Sequence, residues 1–359
     1  MINISLPDGS VKQFEKGVTP LDVAKSISDG LARAVVSASV NGQTVELNRT
    51  INNDCSLRLF TWNDQEGKHT FWHSSAHLMA AAVLELYPNA KFGIGPAIEN
   101  GFYYDIDFGD KVLSSEDFPK IEAKMQEIAK SGVGLVRKEV SKAEALKFFG
   151  DKGEVYKTEL IEELEDGTIT FYESGKFIDL CKGPHLVDFS SIKAIKILSL
   201  AGAYWRGDEK RKQLTRLYAI TFPKKKELDE YLALLEEAKK RDHRKLGKEL
   251  DLFFFDETAP GMAYWMPKGF TLMNTLINFW RKEHQKRGYQ EFSGPQLNSS
   301  VLWKTSGHWD HYKDDMFVLT DVDGNEQALK PMNCPNSIRI YQSKLRSYKD
   351  LPLRFNDVD

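Results

Sequence analysis

Two histidines four residues apart, His73 and His77, open the stretch WHSSAHLMAAAVLELYP (residues 72–88), which otherwise has the apolar spacing of an ordinary amphipathic helix. At that spacing both imidazoles leave one face of the helix, a turn apart. Such a pair is either two buried histidines or half of a site. A zinc peptidase places Glu directly after the first histidine, as in H-E-x-x-H; here the residue is Ser74, which disfavours that class. Further along, FIDLCKGPHL (residues 177–186) sets Asp179, Cys181 and His185 close together, and Gly183-Pro184 makes the segment a turn rather than a helix. Three imidazoles and a thiolate form a donor set competent for zinc. The same four side chains could equally position a water without metal, the imidazoles moving protons near neutral pH and Asp179 orienting one of them. Spacing alone leaves both options open, and leaves open whether the two segments meet.

Three other stretches hold chemistry-bearing residues. AKFGIGPAIENGFYYDID (90–107) crowds glycines and aromatics together, which fits either close backbone approach to a ligand or a tight turn into a strand. AGAYWRGDEKRKQLTR (201–216) sets Tyr204 and Trp205 beside Arg206, Lys210, Arg211 and Lys212, a pattern suited to stacking and phosphate contact with single-stranded RNA or to a solvated strand end. ALKPMNCPNS (328–337) carries Cys334, after which the sequence has no histidine and no other cysteine. A lone cysteine is ordinarily a core residue, and it becomes a ligand only when partners arrive from elsewhere.

Several elements must position these residues. Residues 1–61 hold a hairpin signal at Asp8-Gly9, a Thr19-Pro20 helix start before PLDVAKSIS, and two β-rich runs divided by Asn41-Gly42. Together they predict a β-grasp fold. Residues 62–224 mix α and β: the histidine helix, a second helix near 115–131, and strands at TITFYE and LTRLYAITF. Residues 225–248, rich in lysine at both ends, predict a connecting helix. A third region from 249 places Met273, Leu276, Ile277 and Trp280 on one helix face, with Gly288 just past the helix end and a strand at YQEF. The net charge of −3 excludes an overall polycation, so any RNA contact rests on local patches. Three scattered cysteines, no basic-then-apolar leader and no run long enough to span a bilayer predict a soluble cytoplasmic protein with no membrane partner.

HSSAH, GPAIENGFYYD, DLCKGPH, AGAYWRGD, KRDHRKLGKELDLF, APGM, GHWDHYKDDMF, KPMNCP and LPLRF occur in this order. As a set they resemble the bacterial threonyl-tRNA synthetases, class II aminoacyl-tRNA synthetases, over essentially the whole chain. The resemblance implies an α+β multidomain protein: a TGS (β-grasp) domain at 1–61, an α+β editing domain at 62–224, a connecting helix at 225–248, and from 249 to 359 a partial class II catalytic domain built on an antiparallel sheet. The helix and Pro295 resemble class II motif 1, which forms the dimer interface in that class. The resemblance further implies ATP-dependent activation of threonine, its transfer to tRNA(Thr), and hydrolysis of mischarged seryl-tRNA(Thr). Editing has a physical motive: a threonine pocket must admit serine, and one methyl yields only about 1–3 kcal/mol of discrimination. By resemblance, His73, His77, Cys181 and His185 line the editing site with Asp179 and Lys157 assisting, and that site works through waters without a bound metal.

In the same family a zinc ion in the synthetic site selects threonine over valine by binding its amino group and hydroxyl. Cys334 matches the family's cysteine ligand and Met332 lies in its threonine pocket, while the two histidine ligands and the motif 2 arginine that grips ATP lie downstream of the final LPLRFNDVD. Zinc and ATP/Mg are therefore implied for the full-length homodimeric enzyme and none is expected to be fully bound by residues 1–359. The LPLRF strand is expected to lack its return partner, and the 359 residues by themselves are expected to edit but not to form threonyl-adenylate. A freestanding seryl-tRNA(Thr) trans-editing hydrolase is disfavoured by the presence of motif 1 and KPMNCP. A non-enzymatic RNA-binding TGS module is disfavoured by the Cys/His set, which it would not need.

Overall fold

The turn at Asp8-Gly9 joins β1 (Ile2–Ser5) to β2 (Val11–Phe14) as an antiparallel hairpin, with Gly9 at φ +83° supplying the left-handed conformation the turn requires. Our computed structural model describes residues 1–358. Helix α1 (Pro20–Ile27) starts at Thr19, whose side chain accepts the Asp22 N–H while Asp22 reaches back, a reciprocal cap worth about 1 kcal/mol. A short α2 (Asp29–Ala34) leads into β3 (Val35–Val40), β4 (Gln43–Val45) and β5 (Cys55–Thr61). The sheet order is β2-β1-β5-β3-β4, with β1 and β5 parallel, a β-grasp arrangement. Val23 and Ala24 of α1 share one core with Ile2, Ile4, Ala38, Val45 and Leu57.

The chain then enters α3 (Gln65–Leu86), which carries both sequence-flagged histidines. It is not the ordinary amphipathic helix its spacing predicted. From Thr70 to Val83 every residue except His73 is buried, because strands and a second helix surround it. Next come β6 (Lys91–Phe92), β7 (Ala97–Ile98), β8 (Gly101–Asp107), α4 (Phe118–Lys130), β9 (Val136–Glu139), α5 (Lys142–Asp151), α6 (Val155–Glu162), β10 (Thr170–Ser174), β11 (Phe177–Leu180), β12 (Ala194–Tyr204) and β13 (Gln213–Phe222). Two antiparallel sheets result, one ordered β12-β13-β8-β6 with β7 on β8, the other β11-β10-β9. The shared core joins Phe71, Leu78 and Met79 of α3 to Tyr104, Ile121, Tyr172 and Leu217, and Trp72 Nε1 donates to the Thr221 carbonyl at 3.0 Å.

The stretch 225–248 corrects its expectation as a single helix. It forms α7 (Lys225–Lys240) and α8 (His243–Glu249), interrupted where Asp242 turns its side chain onto the Arg244 N–H and caps a new helix. The described chain divides into two compact units, Met1–Glu236 and the residues from Glu237 onward. In the second unit the predicted helix is present at Pro267–Lys286, with Gly288 beyond its end at φ +75°. Its strands form three small sheets, not one continuous antiparallel sheet: Phe253–Phe255 with Ala263–Trp265, Leu297–Ser299 with Glu326–Leu329 and Val318–Thr320, and Gln290–Phe292 with Phe355–Asp357. The last pair is parallel, so the strand after LPLR, expected to stand without a return partner, lies against Gln290–Phe292.

Candidate active site

The two halves read from the sequence meet. His73 and His77 from α3, and Cys181 and His185 from the turn after β11, bring their donor atoms within 4.8 Å of one another. Cys181 Sγ lies 3.2 Å from His73 Nε2 and 3.1 Å from His185 Nε2. The His185 ring sits 4.3 Å from that of His73 and 4.2 Å from that of His77. The residue that ruled out the peptidase motif has its own task. Ser74 Oγ donates its single proton to the Thr70 carbonyl at 2.8 Å and accepts the Leu186 N–H at 2.9 Å. Its 3.3 Å contact with His185 Nδ1 therefore has the ring N–H donating, which leaves the Nε2 lone pair facing the sulphur.

Asp179 closes the site from β11. Its Oδ2 accepts from the Tyr104 hydroxyl at 2.5 Å and lies 3.5 Å from His77 Nε2, while Oδ1 is ion-paired with Lys157 of α6. Lys157 Nζ also donates to the Tyr104 hydroxyl at 3.1 Å. All of these groups except the Cys181 thiol and His73 are at least 96% inaccessible to solvent. Burial favours the neutral form of the Asp179 carboxyl, but Lys157 and His77 outweigh it and hold the group below the usual carboxylate range. Burial, reinforced by neighbouring imidazoles, brings His73 down to about 3; burial takes His77 down to about 4 against the pull of Asp179, and leaves His185 well below its usual value. Burial and the Asp179 charge push the Cys181 thiol up to about 12.

At neutral pH the site therefore holds three neutral imidazoles, a protonated thiol and a fixed carboxylate–ammonium pair. A protonated thiol is a poor nucleophile, which favours activation of a water over attack by sulphur. Neutral imidazoles keep lone pairs with which to accept a proton from that water. His77 Nδ1 is buried without a protein partner, so a water or ligand atom is needed to satisfy it, at a cost of about 1–3 kcal/mol if absent. The donor set also fits a tetrahedral zinc ion, which would have to displace the thiol proton.

Several cavities reach this region, among them one of about 360 Å³ lined by Cys181 itself with Thr170, Leu180 and Lys182. A second, of about 230 Å³, opens onto Asp179 and Lys157 between Phe92, Phe149, Glu154 and Phe177. Another of about 660 Å³ runs beside the Lys182-Gly183-Pro184 turn, between residues 40–55 and Arg137. The aromatic–basic stretch near 204–212 does not form a stacking platform. Trp205 is buried against Tyr156 and donates to Glu159, while Arg206 and Arg211 are ion-paired with Glu159 and Lys212 with Asp107. Of the two aromatics only Tyr204 is exposed.

Sequence reasoning missed Tyr104 and the role of Ser74. Tyr104 sits in the flagged GFYYD run, but an aromatic in an alternating strand reads as core, and its hydroxyl partner comes from a distant strand. In the second unit, Met332 is exposed with Sδ 3.4 Å from His308 Nε2, and Cys334 is exposed at the start of the helix Cys334–Gln342. Among the described residues no group of three or more His, Cys, Asp or Glu side chains gathers at Cys334, so those residues do not by themselves fit a zinc site there.

Two family models match the chain: the TGS domain over residues 2–61, and the threonyl and alanyl tRNA synthetase second additional domain over residues 169–218. Among curated proteins the chain is 58% identical over 357 residues to the threonine–tRNA ligase of Parabacteroides distasonis, covering 99% of this chain and 55% of that protein. It is 56% identical to the enzyme of that name from Cytophaga hutchinsonii, covering 99% and 56%, and 54% identical to that from Caldanaerobacter subterraneus, covering 99% and 55%. The chain thus spans about 55% of the length of these relatives.

Proposed function

We propose, for a chain similar over 99% of its length to bacterial threonine–tRNA ligases, that the Cys/His site hydrolyses mischarged seryl-tRNA(Thr). The observation that carries this reading is the convergence of His73, His77, Cys181 and His185 beside a buried Asp179–Lys157–Tyr104 group. His77, whose Nδ1 has no protein partner and whose proton affinity Asp179 raises against burial, takes a proton from a bound water as the water attacks the ester carbonyl; that proton then passes to the ribose oxygen as the acyl C–O bond breaks, releasing serine and the tRNA. Lys157 Nζ gives one N–H to Asp179 and one to the Tyr104 hydroxyl, and its third can receive an acceptor of the aminoacyl moiety. In the cleft beside the turn that holds Cys181 and His185, Lys182 offers the RNA end a cation, while Arg49 is paired with Glu46 and Arg137 with Glu139.

Within the whole enzyme the activity proposed is ATP-dependent activation of threonine and its transfer to tRNA(Thr). In that reading residues 1–61 form the TGS domain, 62–224 the editing domain and 249–359 part of the class II catalytic domain, with Met332 in the threonine pocket. Cys334 would then need ligands from further chain to hold zinc. Homodimerisation through the catalytic domain and a cytoplasmic location belong to the same proposal. No helix among the described residues is long and apolar enough to cross a membrane. The test is deacylation of seryl-tRNA(Thr) beside threonyl-tRNA(Thr) by the wild type, His73→Ala and Cys181→Ala. Preferential loss of the seryl ester, abolished or strongly slowed in both variants, is expected. Equal rates on both esters, or unaffected variants, would overturn the assignment.

A further inference from the structure

Glu46 belongs to the N-terminal β-grasp domain, far in sequence from β10, yet the residue is 5% exposed and its carboxylate meets Tyr172 beside the Cys/His site. One oxygen, Oε1, accepts from the Tyr172 hydroxyl. The other, Oε2, accepts from Arg49 Nε at 3.2 Å and Nη2 at 3.1 Å. Tyr172 is fully buried in β10, opposite Asp179 in the register with β11, and its ring meets the His185 ring edge-on at 4.3 Å. Beneath the phenol–carboxylate pair runs the turn that carries His185. Gly183 there has φ +72°, and a Cβ at that position would overlap the Tyr172 hydroxyl and lie 2.8 Å from Glu46 Oε1.

A buried carboxylate is costly unless its lone pairs are used. Here they are used on one side by an arginine of its own domain and on the other by a tyrosine of the site. Burial and Glu46 together raise the Tyr172 phenol above its ordinary range, so it remains a donor. The ring plane of Tyr172 is thereby set from outside the hydrolytic domain, and that ring is one wall of the space His185 occupies.

We propose that Glu46 is a positioning residue for the hydrolytic site: through its hydrogen bond to Tyr172 it fixes the ring against which His185 packs, so that the N-terminal domain completes the site. The assignment of a hydrolytic role rests on the function proposed above; the positioning does not. Neither residue touches the reacting atoms. Glu46 acts by orientation, and its loss lowers turnover more than substrate affinity.

The test compares wild type with Tyr172→Phe, Glu46→Gln, Glu46→Ala and the double variant Glu46→Ala/Tyr172→Phe in the full chain. On seryl-tRNA(Thr), kcat is expected to fall about tenfold in Glu46→Ala and Tyr172→Phe with KM within about twofold. The double variant should be no slower than the slower single one, because both remove one interaction. Glu46→Gln should recover most of the rate, since its amide oxygen accepts the same bond. Independently of activity, the His185 ring resonances should shift in Glu46→Ala and Tyr172→Phe, remain near wild type in Glu46→Gln, and be unmoved by the exposed substitution Glu15→Ala. Unmoved His185 resonances in Glu46→Ala, or single-variant rate losses that multiply in the double, would overturn the proposal. A wild type that fails to hydrolyse the seryl ester defeats the proposed function, while the His185 signals still decide the positioning. If Glu46→Ala does not fold, Tyr172→Phe decides in its place.

Discussion

At the scale of the residue, the site is governed by where each proton sits. Ser74 has one hydroxyl proton and three neighbours, so its position dictates the His185 tautomer and aims Nε2 at Cys181. Ser74→Ala removes the acceptor for both the His185 ring N–H and the Leu186 N–H while leaving the helix intact. The expected outcome is a stability loss of about 1–3 kcal/mol by chemical denaturation, with hydrolysis slowed, because two buried donors lose their partner. Wild-type stability in Ser74→Ala would show that the hydroxyl orients nothing. The thiol follows the same logic. Because burial and Asp179 hold the Cys181 proton in place up to about 12, alkylation by iodoacetamide at pH 7 is expected to be slower than that of the exposed Cys334. Mass spectrometry of the modified peptides checks the order, and faster labelling of Cys181 contradicts a half-buried thiol held in its protonated form.

At the scale of the element, two backbone features hold side chains that sequence periodicity treats as filler. The loop before β8 passes so close to the Tyr104 ring that a Cβ at Gly95 would overlap it. In the glycine run of GIGPAIENG, ambiguous in sequence between a ligand cradle and a turn, Gly95 makes room for the ring of Tyr104, the tyrosine bonded to Asp179. Gly95→Ala is expected to push Tyr104 from Asp179 and to destabilise the fold by about 1–3 kcal/mol, the usual cost of overpacking a core position. A thermal melt and the seryl-ester rate measure the two effects separately; an unchanged melt would mean the loop yields at no cost. The break between α7 and α8 is also local in origin. Asp242 can satisfy helical N–H groups only as a cap, and the chain takes that option two residues after Lys240.

At the scale of the whole molecule, the buried site makes stability depend on pH. His73 and His77 titrate at about 3 and about 4 in the folded chain, below the ordinary 6.5 of an exposed histidine. Between those limits the unfolded chain binds protons that the folded chain does not, so stability is complete above the unfolded value and falls as pH drops below it. Each of the two is expected to cost about 2 kcal/mol on going from pH 7 to pH 5. Asp179 adds a second, lower window: its folded value is depressed, so its contribution is present above the ordinary carboxylate range and is lost as pH falls through the folded value. Stability from denaturant unfolding of the chain should fall from pH 7 to 5 with a slope that becomes shallower in His77→Gln. An equal slope in that variant would remove His77 from the account.

Much of this was legible because it is local. The Asp8-Gly9 hairpin, the Thr19 cap, a helix in the stretch 72–88 (though not its start at Gln65) and the turn at Gly183-Pro184 each follow from residues within a few positions of one another. The types and spacings of His73, His77, Cys181 and His185 carried enough chemistry to nominate a joint site. What the sequence could not decide was convergence. Whether α3 and the β11 turn face each other depends on how two antiparallel sheets pack around a helix, and no period encodes that. Charge states were equally out of reach, since burial and not composition lowers the imidazoles and raises the thiol. The same holds for Tyr104, Tyr172 and Glu46, whose hydroxyls and carboxylate look like ordinary core and surface residues until tertiary packing puts them in contact. The sequence by itself determined which groups could do the chemistry; only the tertiary structure decided which of them are dry, which are protonated, and that a residue of the N-terminal domain stands among them.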